Sequence, residues 1–225
     1  AGVERQAQQL GRTFNHFAGD DLRDAQVDLG EIVDGDELIY IIAKSKLEAN
    51  ELTGPVVGTL MTNLGMELAL KQLGINLIRA KVGDRYVMEL LVENKGILGG
   101  ENSGHIICLD KTTTGDGIIA ALQVMAEMQH TGKNLHELKS GMTKYPQVLL
   151  NIRTQSRPNL DSDEAIQKAV KDVEKKLGNN GRVLLRASGT EPLIRVMVEG
   201  QNEGKVTEYA NQLADQVAKA HGCLN

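Results

Sequence analysis

From position 36 onward the apolar residues follow two alternating spacings. "DELIYIIAKSKLEANELTG" (36–54) carries Leu38, Ile39, Ile41 and Ile42 at helical spacing behind a start rich in acids, which suits a helix N-terminus. "PVVGTLM" (55–61) is a short apolar run bounded by turn residues and reads as a buried strand. "NLGMELALKQLG" (63–74) returns to the helical period, with Asn63 as cap and Gly74 as stop. "INLIRAKV" (75–82) is strand-like, "DRYVMELLVENKG" (84–96) helical, and "ILGGENSGHIICLD" (97–110) strand, glycine-rich loop and strand. "TTTGDGIIAALQVMAEMQHTG" (112–132) is a longer helix opened by Thr and Asp. The alternation predicts a parallel or mixed α/β layer.

The rhythm then changes. "NLHELKSGMTKYPQVLLNIR" (134–153) gives a short helix and a strand, and the polar, proline-containing "TQSRPNLDSDE" (154–164) places a boundary nearby. "DSDEAIQKAVKDVEKKLGNNG" (161–181) is amphipathic. "RVLLRASGTEPLIRVMVEG" (182–200) reads as strand, polar loop, strand, and "EGKVTEYANQLADQVAKAHG" (203–222) as a closing helix. Helix, strand, strand, helix is the pattern of a small α+β domain. The expected organisation is therefore an ill-patterned segment over 1–35, an α/β domain over 36–150 and an α+β domain over 151–225.

Composition narrows the function classes. Over 225 residues, 41% are hydrophobic and 24% charged, the balance of a soluble globular protein. A net charge of −5 argues against a broad nucleic-acid surface, and 3% aromatics without Trp against base-stacking platforms. No apolar run approaches a membrane span. The chain opens on "AGVERQAQQLG", with no signal-peptide core and no initiator Met, which suggests a processed or partial chain. Cys108 and Cys223, far apart, form no disulfide framework and read as reduced thiols of a cytoplasmic protein.

Four loops could carry chemistry. Arg186, Ser188, Gly189, Thr190 and Arg195 put hydroxyls, a permissive backbone and two guanidiniums around one connection. That donor set suits phosphate, although an ordinary polar turn with two surface arginines has the same composition. "GGENSGH" (99–105) offers Glu101, Asn102, Ser103 and His105, which could grip sugar hydroxyls, supply an acid or base, or merely make a polar turn. In "AKVGDRYV" (80–87) Asp84 could meet a ligand at a strand's carboxyl end, with helix capping the simpler reading. In "DKTTTGDG" (110–117) Lys111 could pair with phosphate. The aspartates of "VDGD" (33–36) suit helix capping better than metal binding.

Four of these stretches in this order, "GTLMTNLGMELALKQLG", "RAKVGDRYV", "GGENSGHIICLDKTTTGDGIIAALQV" and "RVLLRASGTEPLIRVMVEG", resemble the α-D-phosphohexomutase superfamily, and within it the phosphoglucosamine mutase branch. The likeness covers positions 33–217. It implies that the chain is the second half of a four-domain enzyme, with 1–35 the tail of the second domain. It further implies substrate contacts from Glu101, Asn102, Ser103, His105, Asp84 and Arg85. Arg186, Ser188, Gly189, Thr190 and Arg195 would hold the non-reacting phosphate.

The implied reaction, in amino-sugar and cell-wall precursor synthesis, exchanges glucosamine 6-phosphate and glucosamine 1-phosphate through a phosphoserine, a bisphosphate intermediate and Mg2+. Two departures matter. No serine here stands in the family's Ser-His-Asn-Pro stretch. Where the family has Asp-Gly-Asp-Gly-Asp-Arg, this chain has "FAGDDLRD" (17–24), with Gly19, Asp20 and Asp21 surviving and Arg23 displaced. The expectation is a chain that contacts a phosphorylated hexosamine, holds no Mg2+ by itself, has no catalytic residue of its own and is inactive without its missing half. The alternatives are a standalone sugar-phosphate-binding module and a nonfunctional remnant.

Overall fold

The structure is a computed structural model that describes residues 25–26, 32–154, 160, 163–188 and 191–221. The chain divides into two compact units, Ala1–Thr143 and Lys144–Asn225. The first opens with two short antiparallel strands, β1 (Ala25–Gln26) and β2 (Ile32–Val33), and then helix α1 (Gly35–Glu48). Asp34 caps α1 in a reciprocal box: its carboxylate accepts from the Glu37 N–H at 3.2 Å, while Glu37 accepts from the Asp34 N–H at 3.0 Å. Leu38 through Ala43 are buried on every side of the helix, the mark of an element enclosed by its neighbours.

Strands β3 (Val56–Thr59), β4 (Leu77–Ala80), β5 (Leu98–Gly100) and β6 (Ile106–Cys108) form one sheet in the order β4-β3-β5-β6. The pairings β3 with β4 and β3 with β5 are parallel, and β5 with β6 is antiparallel. Parallel neighbours need a crossover. Helix α2 (Leu64–Gln72), capped by Asn63, supplies one and α3 (Asp84–Glu93) the other. Only the loop 101–105 separates β5 from β6, so that pair turns back on itself. Helix α4 (Gly117–Thr131), capped by Asp116, and the short α5 (Leu135–Leu138) complete the unit.

Adjacent residues serve opposite faces of the sheet. Val56, Leu98, Ile106 and Cys108 join the core under α1, α2 and α4. Val57, Ala80 and Ile107 meet Val87 and Leu91 of α3 on the other side. The mixed α/β layer predicted from the pattern is the observed fold of this unit.

The second unit is a three-stranded antiparallel sheet with the order β7-β9-β8: β7 (Gln147–Arg153), β8 (Gly181–Ala187) and β9 (Leu193–Gly200). Helices α6 (Glu164–Leu177) and α7 (Glu203–His221) cover one face, burying Ile194, Val196 and Val198 beside Val206, Ala210, Leu213 and Val217. The sequence pattern gave this unit two strands. The third, β7, pairs with β9 along its full length, and it runs across position 150.

Candidate functional site

In the first unit, three loops gather where β3, β4 and β5 end, the edge at which open α/β sheets collect ligands. Arg79 fastens the first of them. Its Nη1 donates to the carbonyls of Thr59 at 3.0 Å and Thr62 at 2.7 Å, while Nε and Nη2 hold Glu67 at 3.1 and 2.6 Å. The Thr62 hydroxyl accepts from the Thr59 N–H at 2.8 Å and closes the turn.

The loop 101–105 is held from three directions. Internally the Glu101 N–H donates to the His105 carbonyl and the Gly104 N–H to the Glu101 carbonyl, both at 3.0 Å. From the start of α1, the Gly35 N–H donates to the Asn102 carbonyl at 3.0 Å. From the start of α3, the Gly83 N–H donates to Glu101 Oε1 at 2.8 Å. Gly83 sits at φ 127°, a backbone region that side chains disfavour, so its glycine makes this contact possible. A carboxylate at a helix N-terminus also meets the positive end of the helix dipole.

Asp84 was expected to cap α3. The cap position instead falls on Gly83, whose N–H Glu101 accepts, and Asp84 is the first helical residue, its Oδ1 accepting from the Arg85 N–H at 2.7 Å. A turn-forming backbone with φ 127° puts the cap one residue earlier than side-chain chemistry suggested. Asp84 Oδ2 stands 3.8 Å from His105 Nε2, both side chains more than half exposed. Arg85 lies along α3 with its Nε 2.9 Å from Glu89, a pairing that raises its pKa through that hydrogen bond and the neighbouring charge. Thus Asp84, Glu101 and His105 share one edge, with Asn102 half-buried and Ser103 exposed beside them, while Arg85 turns to Glu89. Lys111 is 3.2 Å from Asp110, whose carboxylate also holds the buried Lys46 at 2.6 Å.

In the second unit, Arg186 and Arg195 are direct cross-strand partners. They project from the face opposite the helices, since their neighbours in sequence, Ile194, Val196 and Leu185, belong to the helix-covered core. Like charges directly opposite are unfavourable in a bare sheet. Burial, with the Arg195 charge beside it, pushes Arg186 below the usual arginine range. Both Nε groups are buried and have no hydrogen-bond partner among the described residues. Ser188 is buried at the strand end; its N–H donates to the Leu193 carbonyl at 2.8 Å and its Oγ accepts from the Glu191 N–H at 3.4 Å. Gly189 and Thr190 lie outside the described residues, as do Asp20, Asp21, Arg23 and Cys223.

Among the described residues, no group of three or more His, Cys, Asp or Glu side chains could hold a metal ion. Asp34 and Asp36 of the "VDGD" stretch are buried, Asp34 as a helix cap and Asp36 accepting from the Asn63 N–H at 2.7 Å. No helix among the described residues is long and apolar enough to cross a membrane.

Sequence reasoning passed over the backbone donors of Gly35 and Gly83. The glycines are visible in the sequence, but their partners, 67 and 18 residues away, are not.

A phosphoglucosamine mutase of Methylococcus capsulatus is 60% identical over 191 residues, which is 85% of this chain and 43% of that protein. Another, of Aliivibrio fischeri ES114, is 57% identical over 205 residues, 91% of this chain and 46% of that protein. The chain thus spans under half the length of these curated relatives. Among solved structures, Aspergillus fumigatus N-acetylphosphoglucosamine mutase in complex with GlcNAc-6P and magnesium matches with a TM-score of 0.72 at 19% identity, over 86% of this chain and 49% of that one; this likeness concerns the fold alone. Residues 34–145 match the model of the phosphoglucomutase/phosphomannomutase alpha/beta/alpha domain III, and residues 149–216 match that of the C-terminal domain. With both models in order along it, the chain belongs to the phosphoglucomutase/phosphomannomutase family.

Proposed function

We propose that this chain is the substrate-holding half of a cytoplasmic phosphoglucosamine mutase, which interconverts glucosamine 6-phosphate and glucosamine 1-phosphate through a phosphoserine and a bisphosphate intermediate. The observation that carries the reading is the pair Arg186 and Arg195, side by side on the sheet face opposite the helices with buried Nε–H groups that have no acceptor among the described residues. A phosphate dianion supplies acceptors and countercharge to both guanidiniums at once. Ser188 adds a hydroxyl, and Gly189 and Thr190 are assigned to the same clamp from their place in the chain.

In the first unit, Glu101, Asn102 and Ser103 take the sugar hydroxyls, with Asp84, Arg85 and His105 along the same edge. Glu101 is already anchored through Oε1, which fixes the direction in which Oε2 meets a hydroxyl. A clamp that receives phosphate from either end of the sugar needs no covalent chemistry of its own. The 225 residues contain no Ser-His-Asn-Pro stretch, so the phosphoryl donor and the mutase activity come with the other half of the enzyme. Among the described residues no cluster of three or more His, Cys, Asp or Glu side chains gathers for Mg2+, which in the full enzyme would neutralise charge on the transferring phosphoryl group.

Calorimetric titration of the chain with glucosamine 6-phosphate, with glucosamine and inorganic phosphate as controls, tests the reading. Arg195→Ala removes a charge-assisted contact and is expected to weaken phosphosugar binding roughly 10- to 100-fold. Free glucosamine should be unaffected. Equal weakening of both ligands would refute a phosphate role.

A further inference from the structure

We infer that strand β7 forms a third wall of the phosphate site, with Asn151 donating to the bound phosphate and Arg153 supplying a third guanidinium. The inference rests on the phosphate-clamp reading of Arg186 and Arg195.

The register of the second sheet lays out the face opposite the helices as rows of side chains. Directly paired residues of antiparallel strands point to the same side, with Cβ atoms roughly 4.5–5.5 Å apart and diagonal neighbours roughly 7–8 Å apart. The first row is Gln147, Glu199 and Arg182. It is internally neutralised: Glu199, fully buried, accepts from Arg182 Nε at 2.6 Å and from Gln147 Nε2 at 3.3 Å. The second row, Leu149, Met197 and Leu184, is apolar. The third is Asn151, Arg195 and Arg186. Arg153, opposite Leu193, stands one pleat further along β7 on the same face, diagonal to Arg195.

The contrast between the rows carries the argument. The first has a carboxylate for its arginine. The third has two arginines, no carboxylate, and a neutral amide where the first row has Gln147 bonded to Glu199. Among the described residues Asn151 and Arg153 make no side-chain hydrogen bond or ion pair, and both are exposed. β7 alternates strictly here: Leu150 and Ile152 pack into the helix-covered core, leaving Asn151 and Arg153 to the opposite face. A cluster of three guanidiniums with no carboxylate partner among the described residues, beside an amide NH2 donor, complements a dianion with three terminal oxygens, which can accept from several directions together. Arg186 and Arg195 approach from β8 and β9, and Asn151 and Arg153 close the remaining side.

The full 225-residue chain is titrated with glucosamine 6-phosphate by calorimetry and with inorganic phosphate by phosphorus NMR line broadening, which registers millimolar binding. Asn151→Ala is expected to weaken both ligands roughly 3- to 10-fold and Arg153→Ala roughly 10-fold or more. Arg153→Lys, which keeps the charge without the fork, should recover part of the loss. Both positions are exposed and make no side-chain bond among the described residues, so unfolding should be unaltered by either change. Wild-type affinity in either alanine variant, with Arg195→Ala weakened, overturns that residue's place in the site and leaves the two-arginine clamp standing. No weakening by Arg195→Ala, or no binding by the folded wild-type chain, overturns the clamp and this inference with it.

Discussion

Gly35→Ala tests how firmly the first helix holds the loop 101–105. In an unobstructed helix the change is stabilising by about 0.5–1 kcal/mol, because alanine loses less backbone entropy on folding. Here a Cβ on residue 35 would lie 2.2 Å from the Glu101 carbonyl oxygen, 2.7 Å from the Gly104 nitrogen and 3.0 Å from the Asn102 carbonyl carbon. All three are backbone atoms, so no side chain can swing aside. Reaching ordinary contact, near 3.4 Å, requires the loop to move by about 1 Å. That displacement carries an overpacking cost of about 1–3 kcal/mol. It also stretches the Gly35 N–H bond to Asn102, one of the few partners open to an amide in the first helical turn, worth about 0.5–1.5 kcal/mol. The net expectation is destabilisation of the first unit by about 1–3 kcal/mol, with faster hydrogen exchange at residues 101–104 than in the body of α1. Urea unfolding combined with site-resolved exchange measures both. A variant as stable as wild type, or stabilised as helix propensity alone would have it, refutes the close packing of α1 against the loop.

Two further outcomes follow from titratable groups of the same unit. Burial works to raise the Asp110 carboxyl, but hydrogen bonds and charge from Lys46 and Lys111 outweigh it and hold it below the ordinary value. Its contribution is therefore present above about pH 4 and lost as pH falls through the lower folded value. Asp110→Asn should cost about 1–3 kcal/mol at pH 7, since it strands the buried Lys46. The gap to wild type should narrow in urea titrations run progressively below about pH 4, and a constant gap would exclude the ion pair as its source. Burial pushes the Cys108 thiol up to about 11. The protonated thiol thus favours the folded state below about pH 8.5, an advantage lost as pH rises toward 11. In a Cys223→Ser background, a disulfide reagent at pH 8 should label Cys108 only after unfolding. Rapid labelling of the native chain would contradict its burial.

Local signals carried much of the architecture. The capping residues Asp34, Asn63 and Asp116 were legible because a side-chain acceptor and the amides it serves lie within three residues of each other. The alternation of apolar runs was legible because burial against a layer imposes its period on each element. For the candidate site, the chemical types were visible: two arginines and hydroxyls about one connection, a carboxylate and amide about another. Their number and order, together with the family likeness, were enough to nominate Arg186, Arg195 and Glu101.

What the sequence by itself determined about this protein is therefore the kind of element at each position and the donors available in each loop. Tertiary structure alone decided their partners. β7 joins the second unit because strand pairing satisfies amides across the 40 or more residues that separate Gln147–Arg153 from β9. The Gly83 amide at the start of α3 is taken by Glu101, and Asp84 takes only the Arg85 N–H, because each amide selects whichever acceptor the fold brings within reach. The rows of the sheet face opposite the helices, one neutralised by Glu199 and one left with two arginines, exist only once the register is set. The physical reason is the same in each case: a periodic pattern reports what a residue needs from its surroundings, whereas hydrogen bonds and charge pairs between distant segments depend on positions that only the closed fold defines.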